Sequence, residues 1–390
     1  MNYQSLLILG RQPALGLAEL ESLFGADKIQ PINQAALVDA EPNEIPFSRL
    51  GGSLKLARVI TVLDTAKWKD IEAHLIEAAG HHASRLADGK LKLGLSAYGF
   101  NLSVRDLNST ALSIKKALVK SGRSTRVVPN KELELNSAQV LHNKLTAALG
   151  WELLLVKNGS RTILAQTVKV QDIDAYAARD QARPMRDAKV GMLPPKLAQI
   201  IINLANPTLA GVVIDPFCGT GVLLQEALLM GFGAYGIDLE PRMIEYTRAN
   251  LEWLKDKYSL DNVHIYLEQA DATTLNNRDV IDSVASETYL GQPYSSLPPL
   301  DQLQKNVIYV NNLHEKFLKN LAGQIHSGTR ICLAVPAWKL PHGFKHLPLL
   351  DHLEELGYTR QSFVHVKNDD LIYHREGQVV ARELVVLNRK

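Results

Sequence analysis

The stretch "VVIDPFCGTGVLLQEAL", residues 212–228, constrains this chain more than any other. Three β-branched residues, Val212, Val213 and Ile214, run into Asp215. A turn carrying Gly219 and Gly221 follows, and an apolar helix-forming segment begins at once. A buried strand that passes through a glycine turn straight into a helix is the opening unit of a doubly wound α/β sheet. In such sheets ligands bind at the carboxyl ends of the strands, and glycine lets the backbone approach them closely. The spacing is not GxxxxGK[ST], which excludes a nucleotide P-loop. A dinucleotide turn requires G-x-G-x-x-G/A, and here the last position is Leu224.

The acids narrow the ligand further. Asp215 would repel a pyrophosphate, but it suits the cationic ammonium or sulfonium of S-adenosyl-L-methionine. "GID" puts Asp238 at the end of the second strand, where a carboxylate can accept both ribose hydroxyls. "EQAD" puts Asp271 at the end of the third, able to accept from an adenine amino group. Acids also cap the helices that follow strands, which explains any one of these positions. Three in series beside the glycines match one adenosyl ligand.

Around this unit, strands and helices alternate in the manner of a parallel sheet. "AGVVID", "AYGIDL", "VHIYLEQAD", "VIDSVAS", "TRICLAVPAW", "SFVHVKN" and "RELVVL" read as strands. "KLAQIIINLA", "GVLLQEALLMG" and "PRMIEYTRANLEWLKDKY" read as helices. "LIYHREGQVVARELVVL" reads as a C-terminal antiparallel hairpin turning at Gly377. Upstream, "DAYAARDQARPMRDAKVGMLPP" is charged, rich in Pro and Gly and weakly periodic, as a connector is; Arg183 and Lys196 flank it. The N-terminal half mixes short strands and helices into α+β units. These include a helix over "ALGLAELESLFG", one over "LNSTALSIKKALVKSG" closed by Gly122, and one over "SAQVLHNKLTAALG" closed by Gly150. "WELLLVKNG" and "RTILAQTVKV" are strands around an Asn158-Gly159 turn.

With 390 residues, two or three domains are expected at roughly 150 residues each. The two cysteines, Cys218 and Cys332, cannot build a disulfide framework. There is no CxxC pair or HExxH segment, and His81 and His82 have no companions at ligand spacing and read as surface residues, so no metal is expected. No apolar run approaches the roughly 20 residues of a membrane helix, and a cytoplasmic protein is expected. Net charge is only +2, but it is unevenly placed. From Lys90 to Lys169 there are 13 Lys/Arg against four acids, and "KKALVKSGRSTR" holds Lys115, Lys116, Lys120, Arg123 and Arg126 without an acid. A concentrated cationic face attracts a phosphate backbone.

"DPFCGTG" with "GID", preceded by "RP" and "GMLPPKLAQIIINLA", resembles the THUMP-domain tRNA guanine-N2 methyltransferases that modify guanosine ten of tRNA. "RLGGSLKLARVI" and "ILAQTVKVQDIDAYAARDQARP" resemble the N-terminal half of the same family. The resemblance implies an α/β chain in four parts. Residues 1–75 would be a ferredoxin-like domain and 76–172 a THUMP-like RNA-binding domain, both α+β. Residues 173–205 would be connector and leading helix, and 206–390 a Rossmann-like methyltransferase domain. It implies S-adenosyl-L-methionine held by Asp215, Phe217, Gly219, Thr220, Gly221, Asp238, Leu239, Asp271 and Ala272. Its tRNA would be held by Lys115, Lys116, Lys120, Arg123, Arg126 and Arg183. Some family members also need a small zinc-containing activator subunit.

In that family the fourth strand ends in Asp-Pro-Pro-Tyr-Gly, four residues after another Asp. Here Asp282 is followed by four residues and then "ETYLG". Glu287 takes the place of the motif's Asp and Gly291 that of its Gly, whereas both prolines are gone. The chemistry requires an acceptor for an exocyclic N–H and an aromatic face for an extruded base. Glu287 and Tyr289 are the catalytic candidates, with Tyr294 a second aromatic. Two other readings stay open: an amino-methyltransferase acting on another nucleobase of RNA or DNA, and a non-catalytic tRNA-binding protein with a vestigial donor pocket.

Overall fold

The structure, a computed structural model, describes residues 3–84, 88–187, 192–276, 281 and 283–390. The chain divides into two compact units. One comprises Met1–Pro13, Asp27–Ser48 and Ser53–Asp174; the other comprises Ala14–Ala26, Arg49–Gly52 and Ala175–Lys390. Helix α1 (Pro13–Phe24) thus falls, beyond its first residue, with the second unit.

The first unit is built on β1 (Ser5–Leu9), β2 (Ile29–Ile32), β3 (Ala35–Val38), β4 (Ser53–Leu63), β5 (Leu91–Tyr98), β6 (Thr125–Val127), β7 (Gly150–Asn158) and β8 (Arg161–Val170). These form one sheet in the order β2-β3-β1-β4-β8-β7-β5-β6. Residues from both sequence segments, 1–75 and 76–172, therefore share a sheet, joined where β4 pairs antiparallel with β8. Helices α2 (Trp68–Ala83) and α3 (Val104–Lys120) bury Ile71, Leu75, Leu107, Ala111, Ile114 and Leu118 against it. Helix α2 has no counterpart among the elements expected from sequence. His82 stacks on Trp151 with ring centroids 4.5 Å apart, so it is not a plain surface residue.

The helix expected up to Gly150 is shorter: α4 covers Ser137–His142. The Asn143 side-chain amide donates to Gln139 O at 2.9 Å, which satisfies a last-turn carbonyl. Lys144 then turns left-handed (φ 54°), and Gly150 pairs with Lys92 as a strand residue.

Helix α5 (Ile173–Gln181), which from Ala175 on belongs to the second unit, lies where sequence texture gave a connector. It is held by specific contacts rather than by periodicity. Arg179 forms a buried ion pair with Glu226, Gln199 donates to the same carboxylate at 2.9 Å, and Tyr176 donates to Gln199 at 2.6 Å. The ion pair keeps the Arg179 guanidinium charged against the cost of burial. These residues tie α5 to α6 (Pro195–Ala205) and α7 (Val222–Leu229).

The sheet of this unit contains β9 (Val212–Asp215), β10 (Gly233–Asp238), β11 (Ile265–Gln269), β12 (Ser283–Glu287), β13 (Arg330–Leu340), β14 (Gly343–Lys345), β15 (Tyr358–Arg360), β16 (Ile372–Tyr373) and β17 (Val380–Arg389). Its order is β11-β10-β9-β12-β13-β17-β15, parallel as far as β13 and antiparallel at β17 and β15. Helices α8 (Pro241–Tyr258) and α9 (Leu300–Ala322) complete the layers. Strand β9 has β10 on one side and β12 on the other, so the order reverses there. That switch point is where open α/β sheets bind ligands.

"SFVHVKN" is not a strand. The Glu21 carboxylate accepts from the backbone N–H of Val364 (2.6 Å) and of His365 (3.0 Å), which leaves those groups committed elsewhere than in a ladder. β15, just upstream, takes the edge position beside β17. Among the described residues, no helix is long and apolar enough to cross a membrane.

Candidate active site

The turn after β9 is fixed from behind. Gly219 and Gly221 have φ of 51° and 80°, a region that disfavours other residues. A Cβ on Gly221 would also meet the Thr247 side chain at 2.8 Å, whereas one on Gly219 would project into open space. Thr247 donates to Gly219 O at 2.8 Å, and the Asn250 amide donates to Thr220 O at 2.8 Å. Both anchors stand on α8, which holds the turn against the carboxyl end of the sheet.

Asp215 closes β9 and is buried. Its Oδ1 accepts from Ser286 Oγ (2.6 Å) on β12 and from Phe217 N (3.2 Å). Burial raises its pKa to about 7; the two hydrogen bonds pull the other way, while Asp238 and Glu287 add to the rise. Asp238 closes β10 and accepts from Gly219 N and Glu240 N, both at 2.9 Å. Its pKa too is raised, chiefly by burial. Asp271 lies just beyond β11, and its Oδ1 accepts from Thr273 N (2.8 Å) and Thr273 Oγ1 (2.7 Å). Neither Asp238 nor Asp271 caps a helix; each accepts a backbone N–H two residues on and so organises its own turn. Leu239 is exposed, Ala272 and Thr220 are buried, and Phe217 packs edge-on against Phe317 at 5.1 Å.

The loop after β12 begins at Glu287, half-buried. Its Oε1 accepts from Arg382 Nε on β17, and no partner engages Oε2 among the described residues. Thr288, 3% exposed, follows. Its N–H donates to Ala334 O at 3.1 Å, and its hydroxyl lies 2.6 Å from His314 Nε2 on α9. His314 Nδ1 donates to Val310 O at 2.8 Å, which leaves Nε2 as the acceptor of the threonine proton. Burial lowers the His314 pKa to about 4, so this ring is neutral near pH 7. Gly291 closes the loop with φ 82°, and a Cβ there would meet Asn306 and Val310 at 2.9–3.1 Å. Tyr289 is exposed. Asp282, the starting point for aligning the loop motif, lies outside the described residues.

Donor-turn and loop residues are therefore brought together at the switch point by the β9–β12 pairing and the Ser286–Asp215 bond. Lys115, Lys116, Lys120, Arg123 and Arg126 stand on or just beyond α3 in the first unit. Lys116, Lys120 and Arg126 are exposed, Lys115 and Arg123 partly so. Arg183 is not on that face: it is 3% exposed in the second unit, and its guanidinium has no partner among the described residues. Nearby, the Met185 N–H donates to Asn250 Oδ1 and the Asn250 amide donates to Met185 O; the same side chain holds Thr220. Sequence reasoning missed Arg382, Asn306 and His314. The first has no local signal, but the other two lie on α9, whose apolar spacing Leu303, Val307, Val310, Phe317, Leu321 could have found them.

Comparison with known proteins shows what the chain is similar to. Residues 183–345 match the family model described as UPF0020, RMKL-like, methyltransferase domain. A tRNA (guanine(10)-N2)-dimethyltransferase of Methanothermobacter thermautotrophicus is 30% identical over 159 residues, which is 40% of this chain and 43% of that protein. The enzyme of the same name from Methanocaldococcus jannaschii is 35% identical over 107 residues, 26% of this chain and 29% of that one. The chain thus matches less than half the length of these curated relatives. The crystal structure of TrmN from Thermus thermophilus aligns over 100% of this chain and 99% of its own, with TM-score 0.53 and 15% identity, a likeness of fold. Residues 183–345 match the model of an RMKL-like methyltransferase domain of the UPF0020 family, and part of the chain is similar to the tRNA (guanine(10)-N2)-dimethyltransferases.

Proposed function

We propose that the chain transfers a methyl group from S-adenosyl-L-methionine to a nucleobase amine of tRNA, the N2 of guanine, in the cytoplasm. The single observation that carries this reading is the placing of Glu287 and Asp215 side by side at the switch point. Ser286 donates to Asp215 while the next residue presents an unengaged carboxylate oxygen. The donor's sulfonium supplies an electrophilic methyl group; all else falls to the chain's own residues. Asp215 lends negative charge beside the glycine turn. Asp238 would hold the ribose hydroxyls and Asp271 the adenine amino group, with Leu239, Phe217 and Ala272 lending apolar surface. The open space at Gly219 fits such a ligand, because a side chain there would enter it.

An exocyclic guanine amine is a poor nucleophile, because its lone pair is delocalised into the ring. Glu287 Oε2 would accept one N–H, favour the pyramidal form, and take the proton as the N–C bond forms and the sulfonium S–CH3 bond breaks, the neutral thioether S-adenosylhomocysteine being the leaving group. Arg382 holds Oε1, so the carboxylate has one orientation to offer. Tyr289 gives the base a ring to lie against. The N-terminal segments, 1–75 ferredoxin-like and 76–172 THUMP-like, are assigned as the tRNA-holding part, with Lys115, Lys116, Lys120, Arg123 and Arg126 at its phosphate-binding face. Glu287→Gln keeps donor binding by calorimetry but lowers methyl transfer to tRNA about 10²-fold or more. An unchanged rate removes Glu287 from the mechanism.

A further inference from the structure

Around Glu287 and Tyr289 the structure gathers further groups to which the methyl-transfer reading assigns no role: Tyr309, Asn306 and Tyr294. Tyr289 and Tyr309 are both exposed (40% and 61%), and their rings meet edge to face, with centroids 6.3 Å apart and an interplanar angle of 86°. Large aromatic side chains left in solvent two residues from a catalytic candidate form a surface for a flat ligand. Two buried donors close to them are unsatisfied. Asn306 is 9% exposed, and its amide nitrogen has no acceptor among the described residues, although it lies against Gly291 at the end of the same loop. The Tyr294 hydroxyl, three residues beyond Gly291, is likewise buried without a partner among the described residues. A buried donor without an acceptor bears its full desolvation penalty. Two of them at one corner indicate a ligand that brings acceptors.

Asn306, Val310 and His314 recur every fourth residue on one face of α9, the face that carries the loop, and Tyr309 stands at its edge. We propose that α9 forms the second wall of the base-receiving site: the extruded base stacks in the corner of Tyr289 and Tyr309, and the Asn306 amide and Tyr294 hydroxyl donate to its acceptors. The chemistry selects guanine. Glu287 meets the amine donor, and O6 and N7 are the acceptors that guanine carries on its other edge. An adenine would present its own amino group there. The inference rests on the methyl-transfer reading above and adds the residues that choose the base.

The test uses the full chain, labelled S-adenosyl-L-methionine and an in vitro transcribed tRNA pool. Tyr309→Ala is a surface change. It is expected to lower kcat/KM for tRNA about 10-fold or more, in line with loss of one base–aromatic stack, while calorimetric donor affinity stays within about twofold. Tyr309→Phe retains activity. Asn306→Asp keeps size but replaces the donor by an acceptor, and it lowers kcat/KM for tRNA without changing donor affinity. An active wild type whose Tyr309→Ala and Asn306→Asp variants are equally active overturns the base site alone. A fall in donor affinity parallel to the fall in activity overturns it as well, by assigning α9 to the donor pocket. A wild type that transfers no methyl group to tRNA overturns the reading beneath it.

Discussion

Asp215 is the residue at which sequence, burial and ligand charge meet. Its folded pKa of about 7 lies above the ordinary 3.8, mainly through burial, so the fold favours the protonated form between those values. Its contribution to folding is therefore fully present below about pH 3.8 and is lost as pH rises towards 7. A cationic donor has the opposite preference, for the carboxylate. Donor affinity should thus rise by up to about tenfold per unit as pH approaches 7, and level off above it. Asp215→Asn should weaken binding and flatten that profile, both measurable by calorimetry. A wild-type profile as flat as the variant's would place the donor's positive charge elsewhere. Asp215 and Asp238 were legible because they close strands beside glycines in one local motif. Arg382 was not: it reaches Glu287 across 95 positions of sequence, through strand order that no local pattern encodes.

The missing prolines of the proposed catalytic loop find their physical counterparts on β13 and α9. Proline stiffens a backbone by fixing φ and has no N–H. Thr288 instead donates its N–H to Ala334 O and its hydroxyl to His314, and Gly291 is pressed against Asn306 and Val310. A loop that reads as flexible in sequence is thereby held at both ends. Thr288→Val or His314→Leu alone leaves a buried group unpaired and should cost about 1–3 kcal/mol in denaturant unfolding. The double variant should cost less than the sum by at least about 0.5 kcal/mol, and strict additivity would show that the two side chains do not act together. Helix α9 escapes a reading led by the glycine-closed strand motifs on either side of it. Yet its burial pattern follows a helical period plainly. "SFVHVKN" misleads in the opposite sense: its alternation is strand-like, but Glu21 captures the backbone N–H groups a ladder would have used.

At the scale of the whole molecule, the methyltransferase sheet was readable because βα alternation and its glycine turn are local signals that fix a topology. The first unit was harder. Its eight-stranded sheet depends on β4 meeting β8, a pairing set by packing over roughly a hundred residues of intervening chain. Of the basic residues proposed for a phosphate-binding face, Lys116, Lys120 and Arg126 are exposed. Reversing these three to Glu should weaken tRNA binding and reduce the slope of log affinity against log salt by roughly 0.7–0.9 for each phosphate no longer neutralised. Donor affinity should not change. An unaltered salt slope would detach this face from the substrate. The most direct measurement is nucleoside analysis of tRNA after incubation with the wild-type chain and labelled S-adenosyl-L-methionine. The account predicts label in N2-methylated guanosine. Label in any other nucleoside, or none at all, contradicts it.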